Sequence, residues 1–497
     1  MIKPLNRIAG ANLARLAFLA CVASASGFAQ FTVTTTQYPQ TAFYRNGGGY
    51  DYVPAVMFDG KYRMWWCGSR TNYPGDYIFY AEADNINGPW TSPGTGVANS
   101  FLPVLAPSRT PGKFDSDHVC DPTVVRAGGT YFMYYGGNGA SSPAVASTAI
   151  GVATSADGIN WTRLNNGDPI LMSHDTRYPL GANRPYGTGQ PSVVVMNNWY
   201  YMIHTDHLGL GSNPGNGAGQ YILRSQDPLF GRGVQSMTAG GWRAIPDRNP
   251  GTPETETRYQ SRTSYSAIEA FSVDWTFSDM MNGFIVAHHH AGTETYLDVW
   301  NNLDWGHQKV SPIPLSIPGQ SADGPAIVRR PDGHAMASTV CGETPVDLMR
   351  SAGGSDVWTS QLTAARAVLQ MAQTCNSATW AGVFTSWKVA TPGLPLMVVV
   401  KGVRLQVALQ APADQMSKNT AYVPTSIYHQ IPYGASLVAG NAAWSTPGQP
   451  IAFRLDDGRL WPVSCMDLIN VNRSAVRSVT PAQYAQTPKG PPLFCVR

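Results

Sequence analysis

Residues 120–137, CDPTVVRAGGTYFMYYGG, carry the plan from which the fold of this chain can be predicted. Asp-Pro followed by Thr-Val-Val is typical of the start of a β-strand, residues 127–129 are a turn sequence, and residues 131–135 are an aromatic return strand. The stretch therefore predicts a β-hairpin with a carboxylate, Asp121, at the mouth of its first strand. Such an acid either forms a local turn or belongs to a ring of acids around a pocket.

The same plan recurs along the chain. Close copies stand at 52–68 (YVPAVMFDGKYRMWWCG), 189–206 (GQPSVVVMNNWYYMIHTD) and 323–339 (DGPAIVRRPDGHAMAST), and a copy without the proline stands at 268–289. The repeats follow one another at roughly 68 residues, a period that with about four strands per repeat is typical of propeller blades. Five copies predict an all-β, five-bladed β-propeller.

Two stretches between the copies predict local structure. Residues 155–161, SADGINW, resemble an Asp box, a turn in which Asp157 accepts hydrogen bonds from nearby backbone amides while Trp161 packs between blades. We therefore expect Asp157 to be structural. The apolar spacing of residues 358–373, WTSQLTAARAVLQMAQ, predicts a helix that closes the fifth blade or links it onward.

Charge and the first 29 residues bear on location. The chain has 497 residues and a formal charge of +3, but the three basic residues in excess all lie within residues 1–29, which contain no acid. The balanced remainder offers no basic surface for nucleic acid or an anionic membrane. Residues 1–29 read as a signal peptide, with a basic start, an apolar run and small residues before Gln30. Because no later apolar run approaches the ~18 residues of a membrane span, we expect a secreted or periplasmic protein.

Six cysteines remain after the signal peptide, and an even number in an exported chain favours disulfides over metal. Six cysteines allow 15 connectivities. Proximity along the chain favours Cys465–Cys495, Cys341–Cys375 and Cys67–Cys120. No Cys-x-x-Cys pair occurs and the histidines at 288–290 have no neighbouring carboxylate, so we predict no metal and no cofactor.

The composition changes near residue 380. We expect residues 30–378 to form the propeller and residues 379–497 to form a small, mainly β module. The module has no evident catalytic set. Contact with a cell wall or glycan, adhesion, and a dimer contact all stay open as its role.

A propeller packs the first strand of each blade around one axis, so that strand starts from different blades converge at one mouth. Blade three has Gly189 and Gln190 at this point instead of an acid. The acids found near the other strand starts are Asp51, Asp121, Glu269 and Asp323.

The stretches HVCDPTVV, YFMYYGG, IGVATSADGINW and GQPSVVV resemble the five-bladed propeller glycosidases of the family 43 clan, and are similar to the related arabinanases, fructosidases and mannoside phosphorylases. The resemblance covers roughly residues 45–350. It implies an exported, inverting glycoside hydrolase, similar to xylosidases or arabinosidases, that acts on a polysaccharide or oligosaccharide. In that pattern, an Asp of the first blade activates water, an Asp of the second orients the acid, and a Glu of the third protonates the leaving oxygen.

Carried over by position, Asp121 matches the second-blade Asp well, and Asp51 matches the first-blade base loosely. The third-blade Glu usually stands two residues before the proline, where this chain has Gly189. Glu269 at the next strand start is the substitute that we predict. The predicted catalytic residues are therefore Asp51, Asp121 and Glu269.

The remaining polar and aromatic residues near the strand ends are candidates for sugar binding, in competition with structural roles. They are Gln190, His204, Asp206, His207, Asp323 and Trp66. Since the usual third-blade acid is missing, the alternative function is a glycan-binding propeller without catalytic activity. Both readings have a carbohydrate as the partner and exclude nucleic acid.

Overall fold

The computed structural model describes residues 31–37, 41–42, 49–50, 55–70, 73–93, 101–139, 148–172, 186–207, 219–247, 267–268, 270–289, 295–303, 309–315, 325–351, 361–371 and 374–496. The first twelve strands are β1 (Phe31–Gln37), β2 (Thr41–Ala42), β3 (Gly49–Tyr50), β4 (Ala55–Phe58), β5 (Tyr62–Arg70), β6 (Tyr73–Ala83), β7 (Pro103–Leu105), β8 (His118–Ala127), β9 (Thr130–Asn138), β10 (Ala149–Ser155), β11 (Thr162–Arg163) and β12 (Leu171–Met172).

The strands that follow are β13 (Thr188–Met196), β14 (Trp199–Asp206), β15 (Gly219–Ser225), β16 (Gln235–Thr238), β17 (Gly241–Ala244), β18 (Phe271–Ser278), β19 (Gly283–His289), β20 (Thr295–Trp300), β21 (Lys309–Leu315), β22 (Ala326–Arg329), β23 (Glu343–Ser351) and β24 (Gln361–Met371).

These strands form antiparallel sheets around an axis. Within the described residues, blade one is β4 to β7, blade two is β8 to β11, blade three is β13 to β17, blade four is β18 to β21, and blade five is β22, β23, β24 and β1. The first strand of each blade contacts the first strand of the next, and β22 pairs in parallel with β4, which closes the ring. The predicted all-β propeller fold is confirmed.

Blade five is completed from both ends of the propeller sequence. Strand β1 pairs with β24 along its whole length, from Phe31 opposite Met371 to Gln37 opposite Ala365. The helix predicted over 358–373 is therefore wrong, because residues 361–371 are strand β24. Buried and half-buried residues alternate from Ala365 to Gln370, as a strand requires, and pairing with β23 and β1 occupies both edges of β24. Pairing on both sides outweighs the helical spacing of the apolar residues.

The Asp box joins blades one and two. The Asp157 carboxylate accepts hydrogen bonds from the amides of Ile159 and Asn160 at 2.9 and 2.8 Å. The carbonyl of Gly158 accepts from the indole of Trp65 in blade one at 2.8 Å, and from Trp161 at 3.1 Å. The structural role predicted for Asp157 is confirmed.

A buried ion pair lies on the axis. The guanidinium of Arg329, 2% exposed, donates to the hydroxyls of Ser192 at 3.1 Å and Thr123 at 3.0 Å, and lies 3.3 Å from the Asp274 carboxylate. Asp274 in turn accepts from the amide of Ile327 at 2.7 Å and from Ser192 at 2.5 Å. These contacts join the first strands of blades two, three, four and five.

The C-terminal part contains two further sheets and five short helices among its described residues. Its elements are α1 (Ser377–Val383), β25 (Lys388–Ala390), β26 (Met397–Val400), β27 (Val403–Val407), α2 (Gln410–Met416), β28 (Thr420–Tyr422), α3 (Thr425–Gln430), β29 (Tyr433–Leu437), β30 (Ala443–Ser445), β31 (Ala452–Arg454), β32 (Leu460–Pro462), α4 (Met466–Val471), β33 (Val476–Ser478) and α5 (Pro481–Gln486).

The C-terminal part is bonded to the propeller at the ends of two first strands. Arg126 of blade two donates to the carbonyl of Cys495 at 2.8 Å, and Arg330 donates to the carbonyl of Val383 at 2.7 Å. A boundary at 378/379 stays a prediction, and α1 spans it. No helix in the described ranges is long and apolar enough to cross a membrane.

All three predicted cysteine pairs are confirmed. The disulfides are Cys67–Cys120, Cys341–Cys375 and Cys465–Cys495. The first joins blade one to blade two, the second lies where the propeller meets α1, and the third holds the end of the chain to the module.

Removing the cation of the axial ion pair should destabilise the protein. Arg329→Met should lower the free energy of unfolding by about 3–5 kcal/mol, because Asp274 would be left buried without its cation. Equilibrium denaturation measures this loss. Arg477→Met on the exposed strand β33 is the control and should change stability by less than about 0.5 kcal/mol. Equal effects of the two substitutions would contradict the role given to Arg329.

Candidate functional site

The first strands of blades two, three and four share one irregularity. Each carries a residue with positive φ, which is 51° at Asp121, 53° at Gln190 and 46° at Ser272. At these points the pairing shifts between Cys120 and Thr123, between Gly189 and Ser192, and between Phe271 and Asp274. Such bulges redirect a side chain that a regular strand would hold on one face of the sheet. The three residues are therefore equivalent positions around the axis.

The three bulges open onto a cavity on the axis. The residues that line it come from the first strands of all five blades, and they are Ala55, Asp121, Pro122, Thr123, Gln190, Pro191, Ser272, Val273, Asp274 and Arg329. Two of these residues carry carboxyl groups. Asp274 is committed to Arg329 and to strand amides, as described above, so that among the described lining residues Asp121 is the carboxyl available for chemistry.

The surroundings of Asp121 favour its protonated form. Its side chain is 5% exposed, and its pKa is raised from an ordinary 3.8 to about 6, mainly by burial. The Tyr186 hydroxyl, the His118 imidazole and a backbone hydrogen bond from Gln190 oppose this rise, and Asp76 adds to it. The Tyr186 hydroxyl donates to Oδ2 of Asp121. A carboxyl with this pKa can give up a proton near neutral pH.

A second acid–base pair, which sequence reasoning missed, stands beside Asp121. His118 Nδ1 contacts Oδ2 of Asp76, and both side chains are partly exposed. His118 precedes Asp121 by three residues on β8, so its nearness could have been read from the sequence. Asp76 lies on the third strand of blade one, and Tyr186 precedes β13. No local pattern connects either residue to Asp121.

Two of the predicted sugar-binding residues lie at this site. Gln190 lines the cavity, and its side-chain oxygen accepts from the hydroxyl of Thr205 at 2.6 Å. His207 lies just past the end of β14, with its ring centroid 5.1 Å from that of Tyr186. Burial lowers the pKa of His207, which favours the neutral imidazole.

The structure contradicts the sugar-binding role predicted for three other residues. Trp66 is 1% exposed and packs on Phe79 and Phe101 in the core between blades, so the prediction that it stacks on sugar is wrong. His204 and Asp206 have no exposed surface and do not line the cavity. Complete burial keeps both from contact with a sugar in this structure.

Asp51, Glu269 and Asp323 lie outside the described residues, and their roles stay predictions. The position of the bulge in blade four does bear on the alignment of the repeats. Ser272 is the equivalent of Asp121, and Glu269 precedes Ser272 by three residues in sequence, as His118 precedes Asp121. Glu269 therefore corresponds to His118 in the repeat.

Part of the chain is similar in sequence to one curated protein. The chain is 35% identical over 146 residues to the "Probable arabinan endo-1,5-alpha-L-arabinosidase A" of Aspergillus clavatus, a match that covers 29% of this chain and 37% of that protein. No family model matches. The chain thus spans little more than a third of the length of this relative. The similarity agrees with the resemblance to arabinanases drawn from the sequence.

Solved structures of glycoside hydrolases resemble the chain weakly. A family 117 glycoside hydrolase from the marine bacterium Zobellia galactanivorans has a TM-score of 0.42 at 14% identity, over 69% of this chain and 91% of that one. The catalytic domain of the Coprinopsis cinerea GH62 alpha-L-arabinofuranosidase has a TM-score of 0.39 at 12% identity, over 67% and 97%.

The raised pKa of Asp121 predicts a pH dependence of stability. Because the folded protein binds this proton more tightly than the unfolded chain, the contribution of Asp121 is full below pH 4 and is lost as pH rises through about 6. Relative to Asp121→Asn, the wild type should lose about 3 kcal/mol over this window. Denaturant titrations of both proteins at a series of pH values measure the difference. A difference that does not change with pH would contradict the burial of an ionisable Asp121.

Proposed function

We propose that the protein is an exported glycoside hydrolase that cleaves arabinose-containing polysaccharide or oligosaccharide with inversion. The observation that carries the proposal is Asp121, a carboxyl in the axial cavity whose pKa is raised to about 6. A general acid near this pKa is what protonation of a leaving alkoxide requires. The similarity to an arabinan-degrading relative supports the choice of sugar.

In the proposed reaction, Asp121 is the proton donor. As the glycosidic carbon–oxygen bond breaks, the leaving oxygen takes the proton of Asp121, and a base accepts a proton from the attacking water. Inversion requires two carboxyl groups ~6.5–9.5 Å apart. We assign the base to Asp51. Glu269 and Asp323 are proposed as further carboxylates of the site.

Assigning the proton donor to Asp121 changes the role that the resemblance implies for it. In the expected pattern, Asp121 would orient an acid on blade three, where this chain has Gly189. Gln190 carries an amide, and an amide has no acidic proton to give at neutral pH. In place of Glu269, the substitute predicted from the sequence, the proposal gives the proton to Asp121, and the burial of its carboxyl favours this.

The proposal also covers the location of the protein and the roles of its parts. Three disulfides suit an oxidising compartment, and we propose that residues 1–29 direct export and are removed. We propose residues 30–378 as the catalytic propeller and residues 379–497 as a module that contacts the wall or the glycan. Gln190 and His207 are proposed to contact the sugar beside Asp121.

Hydrolysis of arabinan tests the proposal. Wild-type protein should release reducing sugar from arabinan or arabinoxylan, and Asp121→Asn should lose about 10²–10⁴-fold in rate because general acid help is removed. Asp84→Asn is the matched control, because Asp84 is an exposed residue directly after β6, at the end of the strand opposite to Asp76. The rate of this variant should equal that of the wild type.

An Asp121→Asn rate equal to that of the wild type would overturn the assignment. A wild type that binds these glycans and hydrolyses none would favour the binding propeller over the enzyme.

A further inference from the structure

Tyr186 bridges two blades at the candidate site. It stands two residues before β13 in blade three, yet its hydroxyl donates to Oδ2 of Asp121 in blade two. Its ring also lies against His207, with centroids 5.1 Å apart. The Tyr186 ring therefore packs against His207 of its own blade, while its hydroxyl reaches the Asp121 carboxyl of blade two.

Space for this phenol depends on Gly189. A Cβ at residue 189 would lie within 2.9 Å of the ring atoms Cε1 and Cζ of Tyr186, and closer still to Oη. Real Cβ contacts are essentially never this short. The φ of Gly189 lies outside the left-handed region, so the backbone conformation does not demand glycine there. What requires glycine is the room that Tyr186 occupies.

A second glycine lies close to the same oxygen. A Cβ at Gly136 on β9 would lie 2.8 Å from Oδ2 of Asp121, and the φ of Gly136 is also outside the left-handed region. Oδ2 therefore lies close to both the Tyr186 hydroxyl and the backbone of β9 in blade two. Both glycines serve the placement of one carboxyl oxygen.

We propose that Tyr186 is the positioning residue of Asp121, with Gly189 and Gly136 providing the space in which the phenol and the carboxyl meet. Because the Tyr186 hydrogen points at Oδ2, that oxygen is an acceptor and the acidic proton belongs on Oδ1. When Asp121 gives this proton to a leaving oxygen, its carboxylate becomes charged and the Tyr186 hydrogen bond strengthens. Tyr186 keeps its own proton throughout. The catalytic part of this inference rests on the proposed function.

Other charged groups face Asp121 from the surrounding elements. In the described part of the chain they are His118 on β8, Asp76 on β6, and Asp274 and Arg329 on β18 and β22. The hydrogen bond from Tyr186 favours the ionised form of Asp121 and opposes the effect of burial. Removing the hydroxyl should therefore raise the pKa of Asp121, whichever of the other groups is charged.

Tyr186→Phe keeps the ring and removes the hydroxyl. It should raise the pKa of Asp121 by about one unit, which corresponds to one hydrogen bond to a charged group. This pKa is measured without substrate, from the pH dependence of unfolding of Tyr186→Phe compared with Tyr186→Phe/Asp121→Asn. With arabinan, kcat should fall about tenfold while KM changes little, and the basic limb of the pH profile should move to higher pH by the same amount.

Gly189→Ala tests the space independently. Since the added methyl displaces the phenol, this substitution should reproduce both changes of Tyr186→Phe, and it should have no further effect in a Tyr186→Ala background. Gly240→Ala is the matched control, because a Cβ there meets nothing closer than 3.9 Å and its φ is not left-handed. It should behave as the wild type.

The outcomes separate the inference from the proposed function. An unchanged pKa of Asp121 in both Tyr186→Phe and Gly189→Ala would overturn the positioning role. A raised pKa in a protein that hydrolyses no glycan would support the positioning of Asp121 and overturn the proposed function.

Discussion

The rest of this structure depends on the hydrogen bonds and the ion pair that the Arg329 guanidinium makes on the propeller axis. The guanidinium reaches side chains or carbonyl groups of blades two, three and four from its own place on blade five, and Asp274 balances its charge. Burying a cation is costly unless it is paired and hydrogen-bonded, so each of these contacts is needed for the pair to be tolerated. The first strands are thereby held in a fixed relation, and their bulges meet at one cavity.

From that arrangement follows the character of the candidate site. A bulge with positive φ turns Asp121 toward the axis, and the packed blades around it remove water from its carboxyl. Burial raises the pKa, while Tyr186 and the Gln190 amide restrain the rise. The carboxyl ends with a pKa of about 6, close to the pH at which a general acid works best. The same raised pKa means that the folded protein loses the stabilising contribution of Asp121 above that pH.

Much of the fold could be predicted from the sequence because each blade repeats a local pattern. The hairpin of residues 120–137, its copies at 52–68, 189–206 and 268–289, and the Asp box around Asp157 are short-range features, and the structure has them where they were expected. The copy at 323–339 was predicted wrongly in its second half, because β22 pairs instead with β23 at Glu343–Ser351. Residues 358–373 misled because their apolar spacing fits a helix. Pairing with β23 on one edge, and on the other with β1, more than 300 residues away in the chain, makes β24 a strand.

The candidate site was only partly predictable for the same reason. Asp121 stands at a repeated strand start and was found, whereas Asp76 and Tyr186 reach it from other blades without a sequence signal. Trp66 shows the converse, since an aromatic return strand looks alike whether its side chain faces a pocket or the core between blades. In the sequence, Gly189 shows only that the expected acid is absent. The structure shows that a side chain at this position would collide with Tyr186.

The central claim, that Asp121 is the proton donor, is tested most directly by varying the leaving group. The measurement is kcat/KM of wild type and Asp121→Asn on aryl arabinofuranosides whose phenols range from strongly to weakly acidic. If Asp121 protonates the leaving oxygen, the variant should stay within about tenfold of wild type with a dinitrophenyl leaving group and fall about 10²–10⁴-fold with a methoxyphenyl one. An equal loss across the series, with Glu269→Gln showing the dependence instead, would contradict the claim and place the acid at Glu269.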